Sequence, residues 1–219
     1  MISLGRLFIN GLSRLNELTN RNLILPLLTF YPTSRCNSRC ISCRGWKQTG
    51  VDDLTLEEIE GLAECLPSLG TRVVLLSGGE PLLRKDIFDI AALFRAEGMD
   101  LWLLTSGLCL GKHAEVVAKM FSRVTVSLDA SEAALYRHIR GVDGLQALEA
   151  GVARLRALAP DLAISARATL HRGNYAEVSS LVNKARSMAL NGISFLAADV
   201  SSIAFGRDQP LEAEARDAL

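Results

Sequence analysis

The chain has 219 residues, of which 49% are hydrophobic and 22% are charged, and this length and composition suit one large globular domain with a sizeable core. Its 24 lysines and arginines balance its 24 aspartates and glutamates, so no overall positive field indicates nucleic-acid binding. The five cysteines are an odd number and three are clustered, which indicates a reduced, cytoplasmic protein. The apolar runs are too short for a transmembrane segment, which needs about 20 residues, and the first 20 residues lack the features of a signal peptide.

The chain begins with a predicted amphipathic helix. Between residues 3 and 19, leucine and phenylalanine recur at helical spacing, with charged residues elsewhere around the helix. We assign residues 1–22 to an N-terminal helical extension and expect it to pack on the body of the domain. A helix at a membrane surface and a partner-binding helix are the alternatives.

Short apolar, β-prone runs then alternate with helical stretches. The predicted strands are 27–31, 72–76, 100–105, 123–129, 162–169 and 192–198. The predicted helices are near 55–66, 86–97, 112–120, 144–158 and 174–189. This alternation predicts βαβ units and a parallel sheet. The nearly continuous hydrophobicity of most runs favours strands covered on both faces, and an open doubly wound sheet and a curved barrel both fit.

The last residues resemble the start of a helix. Residues 208–219 place Asp208 as a candidate N-cap and Pro210 in the first turn, but no terminating signal follows, which suggests a truncated chain. We therefore assign residues 23–207 to the core of the protein.

The unusual polar and glycine-rich segments all follow predicted strands. The stretch SRCNSRCISCRGW (34–46) follows the first strand, SGGEPL (77–82) the second, TSG (105–107) the third, and SLD (127–129) ends the fourth. In α/β folds, active sites form at the carboxyl ends of the strands. We therefore expect these segments to meet at one site.

Three cysteines in eight positions indicate a metal centre, because thiolates are ligands for zinc, copper(I) and iron–sulfur clusters. A structural zinc site needs four ligands, and the histidines, of which the first is His113, lie at least 70 residues beyond Cys43. An incomplete ligand set leaves a coordination position for a substrate or cofactor. A zinc site with a distant fourth ligand remains the alternative.

The ordered motifs C-x3-C-x2-C (36–43), G-G-E-P (78–81), T-S-G (105–107) and S-L-D (127–129) resemble the core of the radical S-adenosylmethionine (radical SAM) superfamily over residues 25–200. The resemblance implies a partial (β/α)6 TIM-like barrel of parallel strands. It also implies a [4Fe-4S] cluster with Cys36, Cys40 and Cys43 as ligands of three irons, whereas an inert cluster normally has a fourth thiolate. S-adenosylmethionine (AdoMet) would chelate the fourth iron.

The resemblance also implies a set of cofactor-binding residues. These are Ser42, Gly78, Gly79, Glu80, Thr105, Ser127, Arg140 and Arg167.

Each of these residues has a chemical rationale. The two glycines allow a ligand to approach the backbone, and the carbonyls there together with the Glu80 carboxylate could receive the methionyl ammonium. Ser127 could donate to the ribose or the carboxylate, Thr105 could face the cofactor or substrate, and either arginine could pair with a carboxylate.

Two positions depart from the family pattern. Ser42 stands where an aromatic residue commonly lies beside the adenine, and Ser106 replaces the usual asparagine. At Ser42 the backbone would have to provide the contact with the adenine.

Other reactive residues have simpler interpretations. We expect Cys65 to be core packing, and Cys109, just beyond T-S-G, lies closer to the predicted site. His138, His171 and Asp199 are expected to be surface groups or supports of the site. Arg140 could also be an ordinary surface arginine after a short helix, whereas strand alternation could point Arg167 into the barrel.

The resemblance therefore implies an enzyme that reductively cleaves AdoMet to a 5'-deoxyadenosyl radical, which abstracts hydrogen from an unidentified substrate. A small metabolite is slightly preferred to a peptide, because no cysteine after Cys109 could form the additional clusters of many peptide-modifying relatives. The electron would come from a reductant such as flavodoxin or ferredoxin. The alternatives are a non-redox, metal-assisted transferase or hydrolase, and a metal-binding or interaction protein that has lost catalysis.

We predict that Cys40→Ala abolishes the cluster, since two thiolates cannot replace three. Anaerobic reconstitution of the wild-type chain should give about four irons and four sulfides per chain and the cluster absorbance. Retention of the absorbance in the variant would show that the ligands are assigned incorrectly, and one zinc per chain in place of iron would favour the structural site.

Overall fold

The structure is a computed structural model that describes residues 18–19, 24–43, 45–47 and 53–198. Leu18 and Thr19 are helical, but the rest of the predicted N-terminal helix lies outside the described residues. Asp199 and the predicted helix start at 208–219 also lie outside them. The division into 1–22, 23–207 and 208–219 remains a prediction.

Six parallel strands form one sheet in the order of the sequence. They are β1 (Leu27–Phe30), β2 (Val73–Leu76), β3 (Asp100–Thr105), β4 (Arg123–Ser127), β5 (Ala163–Leu170) and β6 (Gly192–Ala197). All six predicted strands are confirmed, with ends that differ by at most two residues from the predicted ones.

Six α-helices connect the strands within the described part of the chain. They are α1 (Leu56–Cys65), α2 (Ile87–Ala96), α3 (Leu110–Met120), α4 (Ala133–Arg140), α5 (Leu145–Leu158) and α6 (Val178–Ser187). Each crossover leads to the next strand in the same direction, and right-handed crossovers then place all the helices on one face of the sheet. The sheet is therefore a partial (β/α)6 barrel and not doubly wound.

Only the helix-facing side of the sheet is fully buried. In β4, Val124 and Val126 face the helices and are 0% exposed, whereas Thr125 and Ser127 on the other face are partly exposed. The prediction of strands covered on both faces is therefore corrected. The second face is the concave side of an open barrel and forms the wall of a groove.

Two helix ends follow from local sequence. At the start of α1, Thr55 and Glu58 form a reciprocal capping box, which satisfies two backbone N–H groups that the helix itself cannot. At the end of α4, Gly141 adopts a left-handed conformation with φ of 67°, which terminates the helix. This helix was missing from the predicted stretches because its eight residues contribute few buried apolar side chains to a periodic pattern.

The prediction that Cys65 packs in the core is wrong. Ile59 and Ala63 are the residues of α1 that face the core. Cys65 follows Ala63 by two positions, which is about 200° around a helix, so its side chain is exposed.

Helices α3 and α5 approach each other closely at two glycines. A Cβ atom on Gly151 would lie 3.0 Å from the backbone nitrogen of Gly111 and 3.1 Å from Cβ of Leu110. The space between these helices is therefore too narrow for a larger residue. By contrast, a Cβ atom on Gly61, in the middle of α1, would meet no atom within 4 Å.

We predict that Gly151→Leu lowers the free energy of unfolding by about 1–3 kcal/mol, because overpacking must separate α3 from α5. The control Gly61→Ala should raise it by about 0.5–1 kcal/mol through helix propensity. Denaturant unfolding under anaerobic conditions measures both. A Gly151→Leu chain as stable as the wild type would contradict the close helix packing.

Candidate active site

The three clustered cysteines lie on the irregular segment after β1, which we call the cysteine loop (residues 31–43). Cys36, Cys40 and Cys43 are reduced and partly buried, and all three line one cavity of about 750 Å³ at the carboxyl ends of the strands. We call this the cysteine cavity. The sequence prediction that the strand-end segments meet at one place is confirmed by this arrangement.

The turn after β2 holds the first half of the cysteine loop. The backbone N–H of Gly79 donates to the carbonyl of Thr33 (3.0 Å), and that of Glu80 donates to the carbonyl of Arg35 (2.8 Å). A Cβ atom on Gly79 would lie 2.2 Å from the Arg35 carbonyl oxygen. The absence of a side chain on Gly79 therefore allows the cysteine loop to approach this turn closely.

The end of α4 holds the second half of the loop. The N–H of Arg39 donates to the carbonyl of Arg140 (2.8 Å), and the N–H of Ile41 donates to the carbonyl of Ile139 (3.0 Å). The last carbonyls of a helix have no partner within it. The loop that carries Cys40 thus satisfies the carbonyl end of α4 and is fixed by it.

Asn37 connects the loop to the end of β3. Its side-chain amide donates to Sγ of Cys109 (3.5 Å) and its carbonyl oxygen accepts from the hydroxyl of Ser106 (3.0 Å). Cys109 therefore supports the loop and does not itself line the cysteine cavity. No local sequence pattern could predict this contact, because Asn37 and Ser106 are separated by 69 positions.

Neighbouring groups of the protein hold the carboxylate of Glu80. Its carboxylate is 0% exposed and accepts hydrogen bonds from the hydroxyl of Thr105 (2.7 Å), the N–H of Ser106 (2.6 Å) and the N–H of Leu82 (3.1 Å). Glu80 does not line the cavity. Its carboxylate joins the turn after β2 to the end of β3 and is not directed at an ammonium group in the cavity.

Arg140 forms a buried ion pair with Asp129 at 3.0 Å, and it is not the surface arginine that the sequence allowed. The guanidinium also donates to the hydroxyl of Ser38 in the cysteine loop (3.4 Å). Burial opposes the charged form, but the thiolate form of Cys40 and the carboxylate of Asp129 outweigh this and raise the pKa of Arg140. The Nε atom of Arg140 is buried without a hydrogen-bond partner.

The thiols themselves are suited to metal binding. Burial raises the pKa of Cys36, and it raises that of Cys40 to about 11, with smaller contributions from the other cavity thiols. Neutral thiols in this setting become thiolates when a cation compensates the burial. Backbone N–H groups of Ser38 and Gly45 point at the sulfurs of Cys36 and Cys43, each at 3.4 Å, as is common around cluster sulfurs.

In the described ranges, no group of three His, Cys, Asp or Glu side chains is arranged to hold a single metal ion. Three thiols that line one roomy cavity fit an iron–sulfur group by donor chemistry.

Most of the predicted site residues share the cysteine cavity. Besides the three cysteines, its lining includes Ser42, Gly78, Gly79, Thr105, Ser127, Arg140 and Arg167. Among the other candidates, His138 is exposed, and His171 is buried and accepts the N–H of Gly173 at Nδ1. Asp129 was not predicted as a site residue, and its closeness to Arg140 becomes visible only once α4 is placed.

Comparison with known proteins identifies the family. The model of the radical SAM superfamily matches residues 30–185. The chain belongs to this superfamily. Its cofactors are a [4Fe-4S] cluster and AdoMet. In the described part of the chain, the helices are too short or too polar to cross a membrane.

Two curated relatives have different named activities. The chain is 40% identical over 123 residues to a probable GTP 3',8-cyclase of Thermococcus kodakarensis, which is 55% of this chain and 40% of the relative. It is 30% identical over 169 residues to an AdoMet-dependent heme synthase of Methanosarcina barkeri, which is 74% of this chain and 47% of the relative. The chain thus spans less than half the length of these relatives.

A solved structure supports the fold. Streptococcus suis SuiB bound to S-adenosylmethionine superposes with a TM-score of 0.74 over 93% of this chain and 48% of SuiB, at 16% sequence identity. At this identity the likeness establishes the fold, the partial barrel of radical SAM enzymes.

We predict that Gly79→Ala prevents cluster assembly while the barrel still folds, because the new methyl group displaces the Arg35 carbonyl and with it the cysteine loop. Iron content after anaerobic reconstitution should fall at least fivefold, and far-ultraviolet circular dichroism should be unchanged. Gly61→Ala is the matched control and should load iron like the wild type. A full iron complement in Gly79→Ala would contradict the role given to the turn.

Proposed function

We propose that this chain is the core of a radical SAM enzyme that acts on a small molecule. One observation carries the proposal: three thiols with no fourth beside them line a single cavity together with the strand-end residues that the family motif predicts. When bound, the cluster and AdoMet supply a 5'-deoxyadenosyl radical that abstracts a hydrogen atom from the substrate.

The residues of the cavity divide the work of binding. Cys36, Cys40 and Cys43 hold the cluster. Gly78 and Gly79 line the cavity, and we assign their backbone carbonyls to the methionyl ammonium of AdoMet.

Arg140 is the residue that we assign to the AdoMet carboxylate. Its guanidinium lies beside the cysteine loop, and Asp129 fixes its orientation through the buried ion pair. The unpartnered Nε group is a remaining donor that an anion could satisfy. Ser127, at the end of β4, can donate a further hydrogen bond to the carboxylate or the ribose.

A small-molecule substrate is supported by the relatives. The names of the GTP 3',8-cyclase and heme synthase relatives point to small molecules. A peptide is the second candidate, because SuiB, which shares the fold, is also described with its precursor peptide SuiA bound.

A flavodoxin or ferredoxin as reductant and a cytoplasmic location remain predictions. The non-catalytic alternative is a protein that holds the cluster and AdoMet without cleaving AdoMet. The departure at Ser42, which removes an aromatic side chain from the adenine position, keeps this alternative open to experiment.

We predict that the reconstituted, chemically reduced protein converts AdoMet to 5'-deoxyadenosine and methionine, measured by mass spectrometry. Cys40→Ala should form neither product, whereas Cys65→Ala, which changes an exposed thiol on α1, should match the wild type. The same assay is repeated with GTP, with a porphyrin precursor of heme or with a cysteine-containing peptide added. We expect one of the two small molecules to raise the rate of AdoMet cleavage. A loaded cluster that never cleaves AdoMet would favour the non-catalytic alternative, and stimulation by the peptide alone would favour the peptide substrate.

A further inference from the structure

The concave face of the sheet has two chemically different halves. On β1 to β3 it is mostly apolar, and we call this half the apolar wall: Leu27, Leu75, Trp102 and Leu104. On β4 to β6 it carries hydroxyl groups and two arginines, and we call this half the polar wall: Arg123, Thr125, Ser127, Ser165, Arg167 and Ser194. One side of the groove is therefore apolar and the other side is polar.

A second cavity of about 470 Å³ lies between the two walls, nearer the amino ends of the strands. It shares Leu75, Leu104 and Arg167 with the cysteine cavity. The two cavities therefore meet at these residues, and a molecule bound in the second one would extend toward the cysteine loop.

The sheet register places Arg167 at the centre of the polar wall. Ser127 on β4 and Ser194 on β6 are its direct register partners. One layer further down, the hydroxyls of Thr125 and Ser165 lie 3.1 Å apart. The guanidinium is thus surrounded by groups that can donate hydrogen bonds to the same ligand.

Arg167 has no carboxylate partner within the described residues. Its side chain is partly exposed, and the contact found for its guanidinium is one from Nε to the hydroxyl of Ser194, at 3.4 Å. Of the described residues that line the second cavity, none is acidic. Arg123 also lines this cavity, over the ring of Trp102 at 4.5 Å, so two cationic side chains belong to its lining.

The two arginines of the site therefore differ. Arg140 is buried, is neutralised by Asp129 and contacts the cysteine loop through Ser38. Arg167 has no carboxylate partner among the described residues, and its hydrogen bond is to the hydroxyl of Ser194 on β6. A guanidinium without a carboxylate partner in a groove with apolar walls favours an anion, and its fork of donors suits carboxylate and phosphate.

We propose that the polar wall is a subsite for an anionic group of the substrate, a carboxylate or a phosphate, which Arg167 binds directly, while the rest of the substrate packs on the apolar wall. The inference deepens the proposed function, on which it rests, and it moves Arg167 from the cofactor to the substrate. A substrate held in this way has its anionic end in the second cavity and its body directed toward the cysteine cavity.

The test is calorimetric titration of the reconstituted protein, saturated with AdoMet under anaerobic conditions. Inorganic triphosphate and tricarballylate serve as probes, and the tighter of the two identifies the group as phosphate or carboxylate. We expect saturable binding that leaves AdoMet bound, and a dissociation constant at least tenfold weaker in Arg167→Gln, since the variant loses the charge-assisted hydrogen bonds to the anion. Arg186→Gln, which removes an exposed charge on α6, should bind like the wild type.

A second variant guards against a folding defect in Arg167→Gln. Ser165→Asp adds a negative charge to the same wall and should also weaken binding at least tenfold, with AdoMet affinity unchanged. The proposal is overturned if neither anion binds saturably, if both variants bind normally, or if the anion displaces AdoMet. Loss of AdoMet cleavage with anion binding intact would refute the proposed function alone, and the reverse result would refute the subsite alone.

Discussion

The site depends on backbone hydrogen bonds that hold an irregular loop against the rim of the sheet. The cysteine loop has no helix or strand to fix its shape, yet three thiols must converge within it. The turn after β2 supplies N–H donors for Thr33 and Arg35, and the end of α4 supplies carbonyls for Arg39 and Ile41. Since these partners belong to elements anchored in the core, the barrel fixes the conformation of the loop.

The buried pair of Arg140 and Asp129 extends this arrangement below the loop. Asp129 accepts the N–H of Thr169 on β5 (2.8 Å) and also pairs with Arg140, which reaches Ser38. Removal of one partner of such a pair leaves an uncompensated buried charge and is strongly destabilising. The pair therefore connects the last strands of the barrel to the cysteine loop, and it fixes the arginine that we assign to AdoMet.

Local sequence was sufficient for the strands and for the location of the site. Apolar runs separated by helical stretches predict parallel strands, and such strands bring their carboxyl ends together. Local sequence could not identify contacts between distant positions. From the sequence alone, Glu80 is interpreted as a ligand-binding acid, and its hydrogen bonds with Thr105 and Ser106 cannot be foreseen. The contact of Asn37 with Ser106 at the end of β3 is likewise visible only in the structure. The wrong prediction that Cys65 packs in the core has a different cause. Cys65 is the last residue of α1, and the apolar pattern of an amphipathic helix indicates poorly whether a residue at the helix end is buried.

The assignment of the barrel is independent of its substrate. Relatives with the same core carry the names of different activities, so the groove must hold the information that distinguishes their substrates. In this chain the groove has an apolar wall on β1 to β3 and a cationic, hydroxyl-rich wall on β4 to β6. A fold that keeps its cofactor site on the rim can vary these inward positions without disturbing the cysteine loop.

The central claim is that the protein thiols leave one iron of the cluster for AdoMet. Electron–nuclear double resonance on the reduced, reconstituted protein tests it directly, with AdoMet carrying nitrogen-15 at the methionyl amine. The account predicts a hyperfine coupling between that nitrogen and the cluster, which shows coordination to iron. The absence of this coupling from a cluster that is intact and reduced, with AdoMet bound, would contradict it.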